Sequence, residues 1–134
     1  MCSSDLFALL GGFLRDSPIT YFHVFSYSPR AGTPAAARAQ VPERARRERS
    51  LALRTLSTEK NLAFRSGFAG RTLDAVVIRR GRDGGAELLT DNYFKVLSPS
   101  CAAPEREIVR VRIDSVLPRS TEGTVVGTGK EGAE

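Results

Sequence analysis

Ile108-Val109-Arg110-Val111-Arg112-Ile113-Asp114-Ser115-Val116 decides the fold. From Val109 on, apolar and charged residues alternate. This places Val109, Val111 and Ile113 on one face and Arg110 and Arg112 on the other, the pattern of a half-buried strand. Working outward, Thr72–Ile78, Glu87–Thr90, Tyr93–Leu97 and Thr124–Val126 read as four more short strands. Gly81, Asp83-Gly84-Gly85, Asp91-Asn92, Ser98-Pro99-Ser100 and Pro118 punctuate them as turn formers. Five short strands in so few residues predict a small antiparallel β-barrel of OB or SH3-like type. The polar, glycine-rich Gly127–Glu134 reads as a frayed tail.

Upstream the period changes from two to 3.6. Val41-Pro42-Glu43 opens a helix, with proline suited to the first helical position, and no Pro or Gly interrupts the chain until Gly67. Ala45, Ala52, Leu56 and Ala63 form a stripe flanked by Leu53, Phe64 and Phe68, while Arg47, Arg54 and Arg65 project from the opposite side. Ile19–Phe25, rich in aromatic and β-branched residues, predicts one buried strand, with His23 packed in its core. Leu6–Leu14 is an apolar run ended by Asp16-Ser17-Pro18. The expected class is therefore α+β.

Composition bounds the chemistry. The 134 residues suit one modest domain, or a small domain plus part of another. The longest apolar run is far short of a membrane span, and Leu6–Leu14 lacks the basic flank of a signal peptide. Absence of a membrane partner and a reducing cytoplasm are the expectation. Two cysteines and one histidine are too few for a disulfide framework or a four-ligand metal site. Cys101 reads as a surface thiol, and no nucleophile-and-base pairing is evident. The net charge of +5 is concentrated: residues 38–71 hold nine basic groups against Glu43, Glu48 and Glu59. Such a block suits either a polyanion-binding surface or a solvated helix. On the barrel, Tyr93, Phe94, Lys95, Arg110 and Arg112 combine aromatic and cationic side chains, as single-strand RNA binders do.

Three motifs then occur in order. Tyr21-Phe22-His23-Val24-Phe25-Ser26-Tyr27-Ser28-Pro29-Arg30-Ala31-Gly32-Thr33-Pro34-Ala35-Ala36 resembles the last barrel strand and loop of the radical-SAM tRNA methylthiotransferases. Gln40-Val41-Pro42, the following helix and Phe68-Ala69-Gly70-Arg71-Thr72-Leu73 resemble the family's connector. Thr90-Asp91-Asn92-Tyr93 resembles the TDNY signature of its TRAM domain, a small RNA-binding barrel. The resemblance covers residues 7 to about 126. Ser26 and Ala31 depart from it by replacing prolines. His23-Val24-Phe25 and Asn92-Tyr93 are similar to the MtaB branch, which acts on threonylcarbamoyladenosine beside the anticodon; the isopentenyladenosine branch is the neighbour.

The resemblance implies a fold and an activity. Residues 7–66 would be the last strand and helices of a truncated radical-SAM (β/α) barrel with its connecting helix, and 67–126 the TRAM barrel. Residues 1–6 read as an adapter-derived leader, and 127–134 as the tail. The family transfers a methylthio group to tRNA adenosine using two 4Fe-4S clusters and S-adenosylmethionine. Neither Cys2 nor Cys101 lies in a cluster motif, so this chain is expected to bind no cluster, to carry no catalytic residue and to lack the N-terminal part of the enzyme. Tyr27, Ser28, Arg30, Gly32 and Thr33 would lie on the S-adenosylmethionine side. Arg47, Arg54, Arg65, Arg71, Asn92, Tyr93, Lys95, Arg110 and Arg112 would contact tRNA. A freestanding RNA-binding barrel and a purely structural domain are the rival readings.

Overall fold

The computed structural model describes residues 3–129, so Cys2 and residues 130–134 of the tail lie outside the described residues. The chain forms two compact units, the first ending at Asn61 and the second beginning at Leu62.

In the first unit, helix α1 (Ser3–Asp16) is followed by an extended segment and a 3-10 turn at Pro34–Ala37. Helix α2 (Glu43–Ser66) then begins, as proline at its threshold suggests, with the Pro42 carbonyl accepting the Arg46 N–H at 3.1 Å. The last turn of α1 would leave carbonyls without partners. The Lys60 ammonium donates to the Leu14, Arg15 and Ser17 carbonyls at 2.7, 3.0 and 2.8 Å. Its charge also suits the negative end of that helix. The expected strand at Ile19–Phe25 is not one: residues 19–30 pair with no strand. The backbone instead finds side-chain partners on α2. Ser57 Oγ accepts from the Phe22 N–H and donates to the Phe22 carbonyl, and the Ser26 and Ser50 hydroxyls bond each other at 2.9 Å. β propensity survives as an extended backbone, but a strand needs a neighbour. His23 is likewise exposed, not packed in a core, and its ring meets Tyr21 edge-on at 5.0 Å.

The second unit is a closed barrel of β1 (Thr72–Arg80), β2 (Ala86–Thr90), β3 (Lys95–Ser98), β4 (Ile108–Val116) and β5 (Thr121–Thr128). The order around the barrel is β1-β2-β3-β5-β4, and β4 closes onto β1. All pairs are antiparallel except β3 with β5, which is parallel, a correction to the fully antiparallel expectation. The parallel pair arises because the chain crosses from β3 past its neighbour before returning. The fifth strand is longer than expected. Thr128 pairs with Val109, and the Gly129 N–H donates to the Ile108 carbonyl at 2.7 Å, so residues 127–129 are held rather than frayed. β3 starts two residues late because Tyr93 belongs to the preceding turn.

Leu88, Ile113, Val77, Val96, Val109 and Val111 are fully buried inside the barrel, each contributing about 1.5–3 kcal/mol by burial. The alternation read at residues 109–113 is thus the in-and-out pattern of β4. Phe64 and Phe68, from the end of α2 and the turn after it, close over Phe94 as an aromatic trio with centroids 5.1–6.3 Å apart. Cys101 is buried in the same core, a correction to its reading as a surface thiol. Its N–H and carbonyl are both engaged, by Gly84 and Arg80, which draws the residue inward. None of the helices is long and apolar enough to cross a membrane, among the described residues.

Closure demands a glycine at one point. A Cβ on Gly123 would lie 2.6 Å from the Arg112 carbonyl oxygen and 2.8 Å from Val111 Cγ2. Gly123→Ala should therefore cost about 1–3 kcal/mol or more through overpacking. A thermal melt followed by circular dichroism checks this, and an unchanged midpoint would mean the barrel closes more loosely here.

Candidate nucleic-acid interface

Pairing on both sides of β1 organises the outer surface of the barrel. Val76 stands opposite Leu89 of β2 and Ile108 of β4, and Leu89 in turn stands opposite Lys95 of β3. An apolar row therefore crosses the outer face and ends in a cation. Two residues along, Asp74 stands opposite Arg110, and two further Thr72 stands opposite Arg112. Both arginines are exposed, while their neighbours Val109, Val111 and Ile113 point inward.

Thr90-Asp91-Asn92-Tyr93 forms the tight β2–β3 turn beside this row. The Tyr93 N–H donates to the Thr90 carbonyl, and the Thr90 N–H to the Phe94 carbonyl, each at 3.0 Å. The Phe94 N–H also donates to Thr90 Oγ1 at 3.3 Å. The tightness puts Tyr93 at φ 64°, a left-handed conformation that a bulky residue adopts at a cost of roughly 1–3 kcal/mol. The ring gains no packing in return, being 86% exposed. Asn92 beside it is half-buried.

The cations are only partly committed. Lys95 pairs with Glu87 at 2.6 Å, and Arg112 Nε donates to Asp114 at 2.9 Å. The Lys95 hydrogen bond, the largest influence, holds the Glu87 carboxyl below its ordinary pKa. Asp114 is held low first by the Thr124 hydroxyl, at 2.5 Å, and then by Arg112. Depressed carboxylate pKa values add stability above the unfolded-state values near 4 that is lost as pH falls through the folded values. The melting temperature should therefore be steady from pH 7 to 5 and fall below pH 4. Asp114→Asn should flatten part of that fall; an unaltered acid limb would deny the carboxylate this role. Arg71 is exposed and lies over the Phe68 ring at 5.1 Å. In the first unit Arg47 pairs with Glu43 at 2.7 Å on the exposed helix surface, and Arg54 is exposed.

Arg65 is a correction. It is only 5% exposed, and its guanidinium donates to the Leu117, Ser120 and Pro118 carbonyls and to Thr121 Oγ1 at 2.9–3.1 Å. Burial lowers its pKa from the ordinary arginine value, yet arginine starts so high that it stays charged. Helical spacing alone grouped it with Arg47 and Arg54. In fact it ties down the β4–β5 turn and is not available to a phosphate. A lysine has no planar fork to meet these acceptors. Arg65→Lys and Arg65→Leu should both destabilise the barrel, the latter by about 2–4 kcal/mol, since carbonyls lose charged donors. Denaturant unfolding measures this directly; loss of RNA affinity in a fully folded Arg65→Leu variant would instead restore it to the interface.

Tyr27, Ser28, Arg30, Gly32 and Thr33 form an exposed stretch and turn of the first unit. The Arg30 carbonyl accepts both the Thr33 N–H at 3.2 Å and its hydroxyl at 2.7 Å, and Gly32 supplies the positive φ of 83°. Among the described residues no group of three or more His, Cys, Asp or Glu is placed to hold a metal. Buried Cys101 offers one thiol where an iron–sulfur cluster needs several, so cluster chemistry does not fit these residues. What the sequence reading missed is the apolar row. The strand ranges alone do not place Val76, Leu89 and Ile108 on a face, although the unbroken run Ala75-Val76-Val77-Ile78 already signals apolar residues on both faces of β1.

A closed five-stranded barrel with a cationic and aromatic outer face defines the class. No family model matches the chain. Relatives are nevertheless plain: the chain is 38% identical over 85 residues to the threonylcarbamoyladenosine tRNA methylthiotransferase MtaB of Aquifex aeolicus, covering 63% of this chain and 20% of that protein. It is 33% identical over 102 residues to the tRNA-2-methylthio-N(6)-dimethylallyladenosine synthase of Paracoccus denitrificans, covering 75% and 23%. The synthase of the same name from Anaplasma phagocytophilum is 36% identical over 109 residues, covering 76% and 24%. The chain is homologous to these tRNA methylthiotransferases, and the match falls at their C-terminal end. It spans about a fifth to a quarter of their length.

Proposed function

We propose that this chain is the tRNA-contacting C-terminal part of a radical-SAM tRNA methylthiotransferase, with residues 67–126 as its TRAM barrel. The observation that carries the reading is the outer face of the barrel, where an apolar row has Lys95 at one end and Tyr93 beside it, with Arg110 and Arg112 further along β4. Cations there would neutralise phosphates and the exposed ring would stack on a base. The names of the relatives support tRNA as the polyanion. The rest of such an enzyme would supply the clusters and S-adenosylmethionine, whose chemistry is the cofactors' own. In that assembly residues 7–66 would complete the catalytic barrel, and Tyr27, Ser28, Arg30, Gly32 and Thr33 would lie on its S-adenosylmethionine side. The cytoplasm, where tRNA is modified, is its setting.

Threonylcarbamoyladenosine is the preferred target, favoured by His23-Val24-Phe25 and Asn92-Tyr93 and by the 38% identity to a protein of that name. The alternative is dimethylallyladenosine. Arg47 and Arg54 would add backbone contacts from α2.

Titration of the chain with unmodified tRNA at several salt concentrations tests the core of the proposal. Each phosphate contact contributes a slope of about −0.7 to −0.9 in log affinity against log salt. With three or four contacts, affinity should fall by one to two orders of magnitude, roughly, between 50 and 200 mM salt. The Arg110→Ala, Arg112→Ala double variant should flatten that slope by nearly two contacts while the barrel stays folded. Parental affinity and slope in this variant, and in Arg47→Ala, Arg54→Ala, would show the arginines to be merely solvated.

A further inference from the structure

The outer face of the barrel contains a cleft of about 350 Å³ bordered by Asp74, Val76, Leu89, Thr90, Asp91, Tyr93 and Ile108. That volume lies at the small end of clefts that hold organic ligands, about 300–1,000 Å³. Its floor is the apolar row of Val76, Leu89 and Ile108, the last 51% exposed. Val76 and Leu89 are half-buried, and a partly exposed apolar row on a polar outer face offers a surface that a flat apolar ligand can cover. Tyr93 forms one wall, held by its turn in a conformation that costs energy and leaves the ring in solvent. The two acids are the unexpected part. Among the described residues neither the Asp74 nor the Asp91 carboxylate has a hydrogen-bond or ion-pair partner, although Arg110 is the cross-strand neighbour of Asp74. The Asp91 N–H donates to the Asp74 carbonyl at 3.1 Å, which keeps the two residues together at one end of the cleft.

Carboxylates oppose a phosphate backbone, so they reduce affinity for RNA taken as a polyanion. They make sense beside an aromatic platform if they read the edge of a base. An ionised carboxylate only accepts, through two oxygens side by side. Guanine alone presents two adjacent donors, N1–H and the N2 amino group, on its Watson–Crick edge. Adenine and cytosine present one amino donor next to an acceptor, and uracil one donor between two acceptors. We propose that this cleft receives a single unstacked guanine, its face on Tyr93 and the apolar row, its Watson–Crick edge on Asp74 or Asp91. The proposal rests on the RNA-contact reading and adds to it a base-reading site. Single-stranded segments are where protein reads such edges.

The test uses the full chain and short single-stranded RNAs: a hexamer of uridine, the same hexamer with one central guanosine, and versions with inosine or adenosine at that place. Fluorescence anisotropy should show the guanosine hexamer binding about tenfold more tightly than all-uridine. Inosine, which lacks the N2 amino group, should fall between. The Asp74→Asn, Asp91→Asn double variant should bring the guanosine-to-uridine ratio close to one while all-uridine affinity holds or rises, since two repulsive charges are gone. Tyr93→Gly should weaken all hexamers by about tenfold without lowering the melting temperature, because glycine adopts the left-handed turn freely. A ratio near one in the parent protein, with salt-dependent tRNA binding intact, overturns the guanine site and leaves the backbone-contact reading standing. A ratio that survives in the double aspartate variant equally overturns the assignment to these carboxylates. If neither hexamers nor tRNA bind, the RNA-contact reading fails and this proposal with it.

Discussion

Hydrogen bonding along both edges of β1 is the constraint on which the second unit depends. Because β4 returns to pair with β1 while β2 pairs on its other side, the sheet has no free edge and encloses a core of small branched side chains. The same closure sets the outside. A strand places alternate residues on opposite faces, so fixing Val77 and Ala75 inside fixes Val76 and Asp74 outside. Register with two neighbours then decides what flanks them. Ile108 and Leu89 come to Val76, and Arg110 comes to Asp74, as a consequence of burying the core. Outer face and core are two readings of one pairing scheme.

Much of this was legible in the sequence because period-two alternation is a local signal. Alternation marks β4, and turn residues bound the other four strands, with differences of a few residues at their ends. Topology was less accessible: nothing within β3 or β5 announces that they run parallel, since that depends on where a nine-residue loop carries the chain. The segment at 19–30 shows the opposite failure. The β-branched and aromatic residues of Ile19–Phe25 predict a strand, but composition reports a preference for extended backbone, not the presence of a partner. Ser50 and Ser57, which supply its hydrogen bonds instead, sit in a helix 24 and 35 residues away.

Arg65 and Lys60 illustrate a second limit. Both belong to a basic stretch that reads as a solvated or polyanion-binding surface, yet each is occupied with backbone carbonyls, Lys60 with those ending α1 and Arg65 with those of the β4–β5 turn. Charge counts cannot separate a cation that meets a partner molecule from one that completes the fold. The distinction lies in whether carbonyl groups left over by a helix end or turn happen to face it, which is decided by tertiary packing. The barrel's arginines are different, since Arg110 and Arg112 alternate with buried neighbours and must face out. For them the linear pattern was sufficient.

Cys101 gives the barrel a chemical clock. Cys101 is 4% exposed within the cluster that contains Leu88, Val96 and Ile113, and its thiol, a weak donor, points to the Ala103 carbonyl 3.8 Å away. A thiol so placed is shielded until its surroundings open, because reagents need access to the sulfur. The same side chain is ordinary and reactive once the strands separate. In a Cys2→Ser background, the rate at which an alkylating reagent consumes Cys101 therefore meters how often the closed sheet comes apart. Oxidative damage to the fold is gated by the same event: the barrel must breathe before its one interior sulfur can be lost.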